Sequence, residues 1–142
     1  MQKKKLKKKG KIYVLMSDGE CQEGTTWESL LIATKHRLDN LVIIIDYNKI
    51  QALDKLDNAL PLTSLKSKFQ SFNCNCFNVK NGHSFKSIIK SLKINKSNGK
   101  PTVIIMNTTK GKGIKEFEND PVWHARKISE RDLKIAKKRL KF

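Results

Sequence analysis

Two apolar runs in this chain each break off into a polar cluster. Ile12-Tyr13-Val14-Leu15-Met16 leads into Ser17-Asp18-Gly19-Glu20, and Leu41-Val42-Ile43-Ile44-Ile45 leads into Asp46-Tyr47-Asn48. Between them Trp27, Leu30, Leu31, Thr34 and Leu38 recur at helical spacing and predict a crossover helix over 22–38. Two buried-type strands joined by a helix must run parallel. The expected class is therefore α/β, a mostly parallel sheet with helices on both faces. The polar clusters then emerge at the carboxyl ends of neighbouring strands, the edge where open α/β sheets hold ligands.

Asp18 supplies a carboxylate and Asn48 an amide oxygen, thirty positions later. Both are hard oxygen ligands. Magnesium takes one or two such groups and completes its shell with water and substrate phosphates. Gly19 has no Cβ, so a bulky anion can approach its backbone closely. A plain turn accounts for Asp18-Gly19 alone, and a plain strand end for Asn48 alone. Their joint placement favours a metal–diphosphate clamp.

The bulk properties narrow the field. A chain of 142 residues is expected to form one domain. The net charge of +17 invites a nucleic-acid reading. No aromatic-rich RNA motif or zinc spacing accompanies it, so specific nucleic-acid binding is not expected, only adhesion at low salt. Cys21, Cys74 and Cys76 form no scaffold pattern and fit reduced thiols of a cytoplasmic protein. Cys74 and Cys76 share one face of a strand, where small core residues are commoner than a redox pair. No apolar run reaches spanning length, so no membrane partner is expected. Met1–Lys9 lacks the apolar core of a signal peptide.

Further along, Gln51–Asn58 reads as a polar loop. Pro61 reads as the start of a helix with Leu62, Leu65, Phe69 and Phe72 as its buried stripe. Cys76–Val79 is a short strand and Asn81-Gly82 a turn. Ser84 caps a helix whose core face is Phe85, Ile88, Ile89 and Leu92. His83 reads as structural and His36 as an exposed helix residue. Thr102–Met106 is another strand. Asn107–Gly113 carries two lysines and two glycines without the spacing of a Walker loop. Phe117–Val122 reads as irregular. Ser129 and Asp132 form a capping box, with Ile128 stapled onto Leu133, for a basic terminal helix.

Asp18-Gly19 followed at this interval by Asn48 resembles the thiamine-diphosphate signature, Gly-Asp-Gly ending in Asn. The stretches Ser17–Gly24, Trp27-Glu28, Leu38–Leu41, Asp46–Gln51, Thr109–Gly113 and Trp123-His124 together resemble transketolase, in particular the amino-terminal subunit of its split form. The resemblance covers nearly all of residues 10–140. The departures are Ser17 for the usual Gly, Asn81 where Asp often precedes Gly-His, and Ala125 for the Gly after Trp-His.

That resemblance implies transfer of a two-carbon ketol unit from a ketose phosphate to an aldose phosphate, with thiamine diphosphate and Mg²⁺ (or Ca²⁺). It implies that Asp18, Asn48 and the main-chain carbonyl of Ile50 hold the metal. Gly19 would lie against the diphosphate, Lys110 beside the thiazolium end, and His124 against substrate hydroxyls, assisting proton movement. Glu23 and Glu28 are either complements to the helix dipole or, as the family implies, part of an acid network linking paired sites across a dimer. The group activating the aminopyrimidine is in the family a glutamate of another domain. A carboxyl-terminal partner subunit in a dimer or heterotetramer is therefore implied.

In the family a long segment with cofactor-contacting His and Gly residues precedes this point. Residues 12–142 are thus expected to be the second half of the cofactor domain, and residues 1–11, with seven lysines from Gln2 to Lys11, a basic arm or helix end. Such a piece alone is expected to expose a sheet edge, fold loosely and show no turnover. Two other readings stay open on sequence: a 2-oxo-acid dehydrogenase E1 or deoxyxylulose-phosphate synthase type of enzyme, and a non-catalytic basic remnant that binds RNA or a partner.

Overall fold

A computed structural model of the chain describes residues 10–52, 54–94 and 96–141. The expected arm over residues 1–9 lies outside them.

The βαβ unit forms as its sequence pattern requires. Strand β1 (Ile12–Ser17) is followed by a 3-10 turn (Gly19–Gln22), helix α1 (Gly24–Lys35) and strand β2 (Leu41–Tyr47). Helices α2 (Leu56–Ala59) and α3 (Leu65–Ser71) lead to β3 (Asn75–Val79). Helix α4 (Phe85–Leu92) leads to β4 (Thr102–Asn107). Two 3-10 turns, Lys115–Phe117 and Pro121–His124, precede helix α5 (Glu130–Leu140). Among the described residues no helix is long and apolar enough to cross a membrane. The four strands pair in the order β1-β2-β4-β3, all parallel. All their carboxyl ends therefore reach one edge.

The chain passes over the place of β4 on its way to β3 and returns to fill it, which puts helices on both faces. One face carries the larger core. Ile43, Ile45, Val103 and Ile105 pack there with Leu30 of α1 and Leu65 and Phe69 of α3. Trp27 locks the two helices together, its ring 5.2 Å from those of both Phe69 and Phe72. Its indole N–H donates to the Cys21 carbonyl at 3.0 Å. On the other face Val42, Ile104 and Met106 pack with Ile88 and Leu92 of α4. Cys74 and Cys76 are buried free thiols, each pushed up by burial to about 11. They are core residues, as expected.

Several expectations are corrected. Helix α1 is shorter than 22–38: Arg37 turns left-handed (φ 51°) and ends it, so Leu38 is buried from the following turn rather than from the helix. Leu31 is 60% exposed, and Ala33 takes the core position instead. Pro61 does not open a helix. Thr63 is left-handed (φ 45°), and Ser64 caps α3 by accepting from the Ser67 N–H. The loop expected over 51–58 runs into the short α2, whose Leu56 is fully buried. The 117–122 segment is built around two 3-10 turns, the second opened by Pro121 with Asp120 capping Val122 N–H at 3.0 Å. On α4 only Ile88 and Leu92 meet the core, while Phe85 is 81% exposed and Ile89 half exposed. An open apolar groove of about 220 Å³ runs between Leu15 of β1, itself 72% exposed, and Ile88 of α4. Strand β1 is thus a sheet edge with one poorly covered face. At its start Lys11 donates to the Ile94 carbonyl at 2.7 Å, tying that edge to the end of α4.

The capping box on α5 is present. Ser129 Oγ accepts from the Asp132 N–H, and Asp132 accepts from Ser129 N–H at 2.9 Å. Ile128 and Leu133, the expected staple, both stay exposed. Arg126 also bonds the Asp132 carboxylate. The Ser129 bonds, then Arg126, hold this carboxyl down to about 2. A depressed acid stabilises the fold fully above its unfolded value, about 4, and loses that contribution as pH falls through the folded value. We expect the thermal midpoint of the wild type to fall between about pH 4 and pH 2 more steeply than that of Asp132→Asn. Melting curves across that range check this, and parallel curves would refute it.

Candidate functional site

The carboxyl ends of β1, β2 and β4 open into a cavity of about 390 Å³. It is lined by Ser17, Asp18, Gly19, Asp46, Asn48, Ile50, Gln51, Ala52, Lys110 and His124. Six of these, Asp18, Gly19, Asn48, Ile50, Lys110 and His124, are the site residues expected above. They come from four separate segments, and the parallel sheet brings them together.

Asp18 is the pivot. It is 1% exposed, and its Oδ2 accepts from the Lys49 N–H at 2.6 Å, bridging the ends of β1 and β2. Lys49 holds a left-handed backbone (φ 65°), an uncommon conformation for a residue with a side chain. Its side chain lies over the Tyr47 ring at 5.3 Å. Asn48 Oδ1 accepts from the Ile50 N–H at 3.0 Å. An amide oxygen has a second lone pair, so Asn48 retains one acceptor position for a ligand. Burial pushes the Asp18 carboxyl above its ordinary value. The N–H groups of Lys49 and Gly19 oppose that rise, Asp46 adds to it, and Lys110 lowers it.

Ser17, a departure from the family pattern, has its own local logic. Its N–H donates to Glu20 Oε2 at 2.7 Å and its Oγ accepts from Glu20 N–H at 3.2 Å. This is the reciprocal arrangement of a capping box, and it starts the 3-10 turn that carries Gly19. Ser17 is not among the left-handed residues, so nothing in the backbone here requires a glycine. A Cβ on Gly19 would meet only ordinary contacts, the nearest Ser17 Oγ at 3.8 Å. Its value is therefore open space toward the cavity. The Ala125 backbone likewise has negative φ (−140°).

His124 closes the 3-10 turn Pro121–His124. That turn is held from behind. The Trp123 ring stacks on Phe117 at 3.8 Å between centroids, and Arg126 lies over Trp123 at 4.3 Å. Glu23 and Glu28 are exposed on and before α1.

Two observations bear on what this cavity suits. Among the described residues no cluster of three or more His, Cys, Asp or Glu is placed to hold a metal. The hard donors at the cavity are two carboxylates, Asp18, which accepts from the Lys49 N–H, and Asp46, which accepts from the Thr108 hydroxyl, together with neutral oxygens. Such a set suits magnesium only when the ligand brings anionic oxygens of its own, as a diphosphate does. The second observation is Gln51, the last residue of the Asp46–Gln51 stretch, which carries no expected site role. Its Nε2 is buried with no hydrogen-bond partner among the described residues. A buried donor left unpaired costs about 1–3 kcal/mol, a cost that an acceptor on a bound ligand removes. The residues present thus fit a metal-bound diphosphate.

Comparison with known proteins places the chain in a family that binds a diphosphate cofactor. Residues 3–142 match the family described as transketolase, thiamine diphosphate binding domain. The chain is 39% identical to an apulose-4-phosphate transketolase subunit of Actinobacillus succinogenes, over 97% of this chain and 50% of that protein. It is 31% identical to human transketolase, over 83% of this chain and 18% of that protein. The crystal structure of transketolase from Campylobacter jejuni superposes with a TM-score of 0.85 at 33% identity, covering 95% of this chain and 21% of that one. The chain spans about half the length of the first of these relatives.

The raised Asp18 carboxyl has a consequence for stability. A buried acid with a raised folded value costs stability at neutral pH when ionised, and that cost is relieved as pH falls through the folded value. We expect Asp18→Asn to raise the melting temperature of the ligand-free protein at pH 7 and to flatten its response to acid. A lowered melting temperature at pH 7 would count against the burial argument.

Proposed function

We propose, from the premise that this chain belongs to the transketolase family by its thiamine diphosphate-binding domain, that it forms the metal–diphosphate half of a ketol-transfer site. The observation that carries this reading is the convergence of Asp18, Gly19, Asn48, Ile50, Lys110 and His124 on one cavity. Asp18, Asn48 and the Ile50 carbonyl would hold a divalent cation, Mg²⁺ or Ca²⁺. The Gly19 backbone would admit the diphosphate, and Lys110 would lie beside the thiazolium end. Thiamine diphosphate, when bound, supplies the carbanion that adds to a ketose-phosphate carbonyl and the electron sink for C–C cleavage. His124 would meet the sugar hydroxyls and hold or move a proton there. Sugar phosphates are the proposed substrates.

A second protein chain is part of this proposal. The Actinobacillus relative is named as one subunit of its transketolase, and the acid that activates the aminopyrimidine has no candidate at this cavity besides Asp18 and Asp46. The first is given to the metal, and the second accepts from Thr108. The active form would be a dimer or heterotetramer with a carboxyl-terminal transketolase subunit, working in the cytoplasm.

The test begins with calorimetry of magnesium and thiamine diphosphate on the assembled two-subunit enzyme. Asp18→Ala should abolish metal-dependent binding and Asn48→Ala should weaken it strongly, because each removes one of few protein ligands. Unchanged affinity in Asp18→Ala would sink the assignment. In the two-subunit enzyme, His124→Ala should leave cofactor affinity nearly intact and lower kcat/KM for ketose phosphates by roughly 10²-fold or more. The chain alone should show no turnover with a ketose phosphate and an aldose phosphate.

A further inference from the structure

Lys110 lies on a loop, and that loop is held on both sides. It leaves the sheet at Asn107, whose side-chain amide donates to the Val79 carbonyl at 2.9 Å. The Gly82 N–H donates to the Asn107 carbonyl at 2.7 Å. The Thr108 N–H donates to the Tyr47 carbonyl at 3.3 Å, and its hydroxyl bonds Asp46. Beyond Lys110, the Asn119 N–H donates to the Lys110 carbonyl at 3.1 Å. Gly111 is left-handed (φ 75°), and a Cβ there would stand 2.3 Å from the Phe117 carbonyl oxygen.

The last tie before Lys110 is different in kind. The Thr109 N–H donates to His83 Nε2 at 2.7 Å. His83 belongs to the turn between β3 and α4, twenty-six positions upstream. That turn is itself built tightly. Asn81 Oδ1 accepts from the His83 N–H at 3.0 Å, so Asn81 closes the turn itself. A Cβ on Gly82 would stand 2.7 Å from Thr108 Cγ2. The turn 81–83 is therefore seated against the loop 107–109.

We propose that His83 is a positioning residue for Lys110, fixing the loop that carries this lysine to the cofactor cavity. The role of Lys110 rests on the function proposed above. His83 is exposed and joins neither core cluster, so packing does not explain its place. The bond to Thr109 is exposed too, and water would satisfy that N–H. The bond to the imidazole therefore changes where the loop sits rather than relieving a buried donor. Because Nε2 accepts, the neutral ring carries its proton on Nδ1.

The test uses the full chain with substitutions at His83. His83→Ala removes the acceptor. His83→Gln presents an amide oxygen close to the place of Nε2. Residue-resolved hydrogen exchange should show Thr109 exchanging roughly five- to tenfold faster in His83→Ala, the scale of one net hydrogen bond, and near the wild-type rate in His83→Gln. Affinity for magnesium thiamine diphosphate should fall severalfold in the first variant and return in the second, with melting temperatures alike. Unchanged Thr109 exchange in His83→Ala would overturn the proposal. So would faster exchange with unaltered affinity, or failure of the glutamine to restore either. A wild-type chain that binds no magnesium thiamine diphosphate would instead defeat the functional reading of Lys110, leaving exchange to judge the His83 bond alone.

Discussion

The candidate site depends on one hydrogen bond between two strand ends. Asp18, at the end of β1, accepts from the backbone of Lys49, just past the end of β2. The parallel register pairs Ser17 with Asp46, so the chains leaving both strands stay side by side long enough for this bond to form. It orients a carboxylate that burial would otherwise disfavour, and it accompanies the left-handed turn at Lys49. That turn sets Asn48, Ile50 and Gln51 around the same cavity. A buried carboxylate with few partners, an orphaned amide donor and a lysine in a left-handed conformation meet at this one edge. The buried carboxylate and the orphaned amide, two features unfavourable on their own, meet where a ligand would be met.

The rest of the sheet serves this edge. Strand β4 is buried along almost its whole length, and its return between β2 and β3 carries Lys110 to the cavity. The turn after β3 then stands beside the loop after β4, which is how His83 reaches Thr109. Among the described residues most lysines and arginines are exposed, whereas the cavity mixes Asp18 and Asp46 with Lys110 and His124. Its electrostatic character is therefore set by four residues and not by the net +17. On the opposite side, Leu15, Phe85 and Ile89 leave an apolar surface that the described residues do not cover.

Much of the site could be read early because strand ends announce themselves. An apolar run stopping at Asp18 and another stopping at Asn48, with a crossover helix between, can only bring both polar groups to one edge. The capping box at Ser129 and the thiols of Cys74 and Cys76 as core residues follow from equally local rules. Lys110 and His124 rest on resemblance, since neither periodicity nor spacing ties a loop lysine or a late histidine to a particular strand end. Gln51 closes the Asp46–Gln51 stretch that carries the resemblance, but nothing local assigns it a role, and the burial of its amide shows only in the fold. His83 reads as structural, which its bond to Thr109 supports, but its partner lies on a neighbouring strand's loop.

The residues alone suffice to specify the parallel α/β architecture and the two ends of the Asp18–Asn48 clamp, because crossover connectivity and apolar runs act over short stretches of chain. Strand order, and with it every contact that order creates, emerges only on folding. Helix spacing makes Leu31, Phe85 and Ile89 equal to Leu30, Ile88 and Leu92. A sheet can cover only one narrow stripe of each helix, so the first three stay exposed and the others are covered. The placement of β4 between β2 and β3 likewise sets His83 against Thr109 and brings Lys110 to the cavity of Asp18, since pairing across a sheet is a long-range choice that no local pattern encodes.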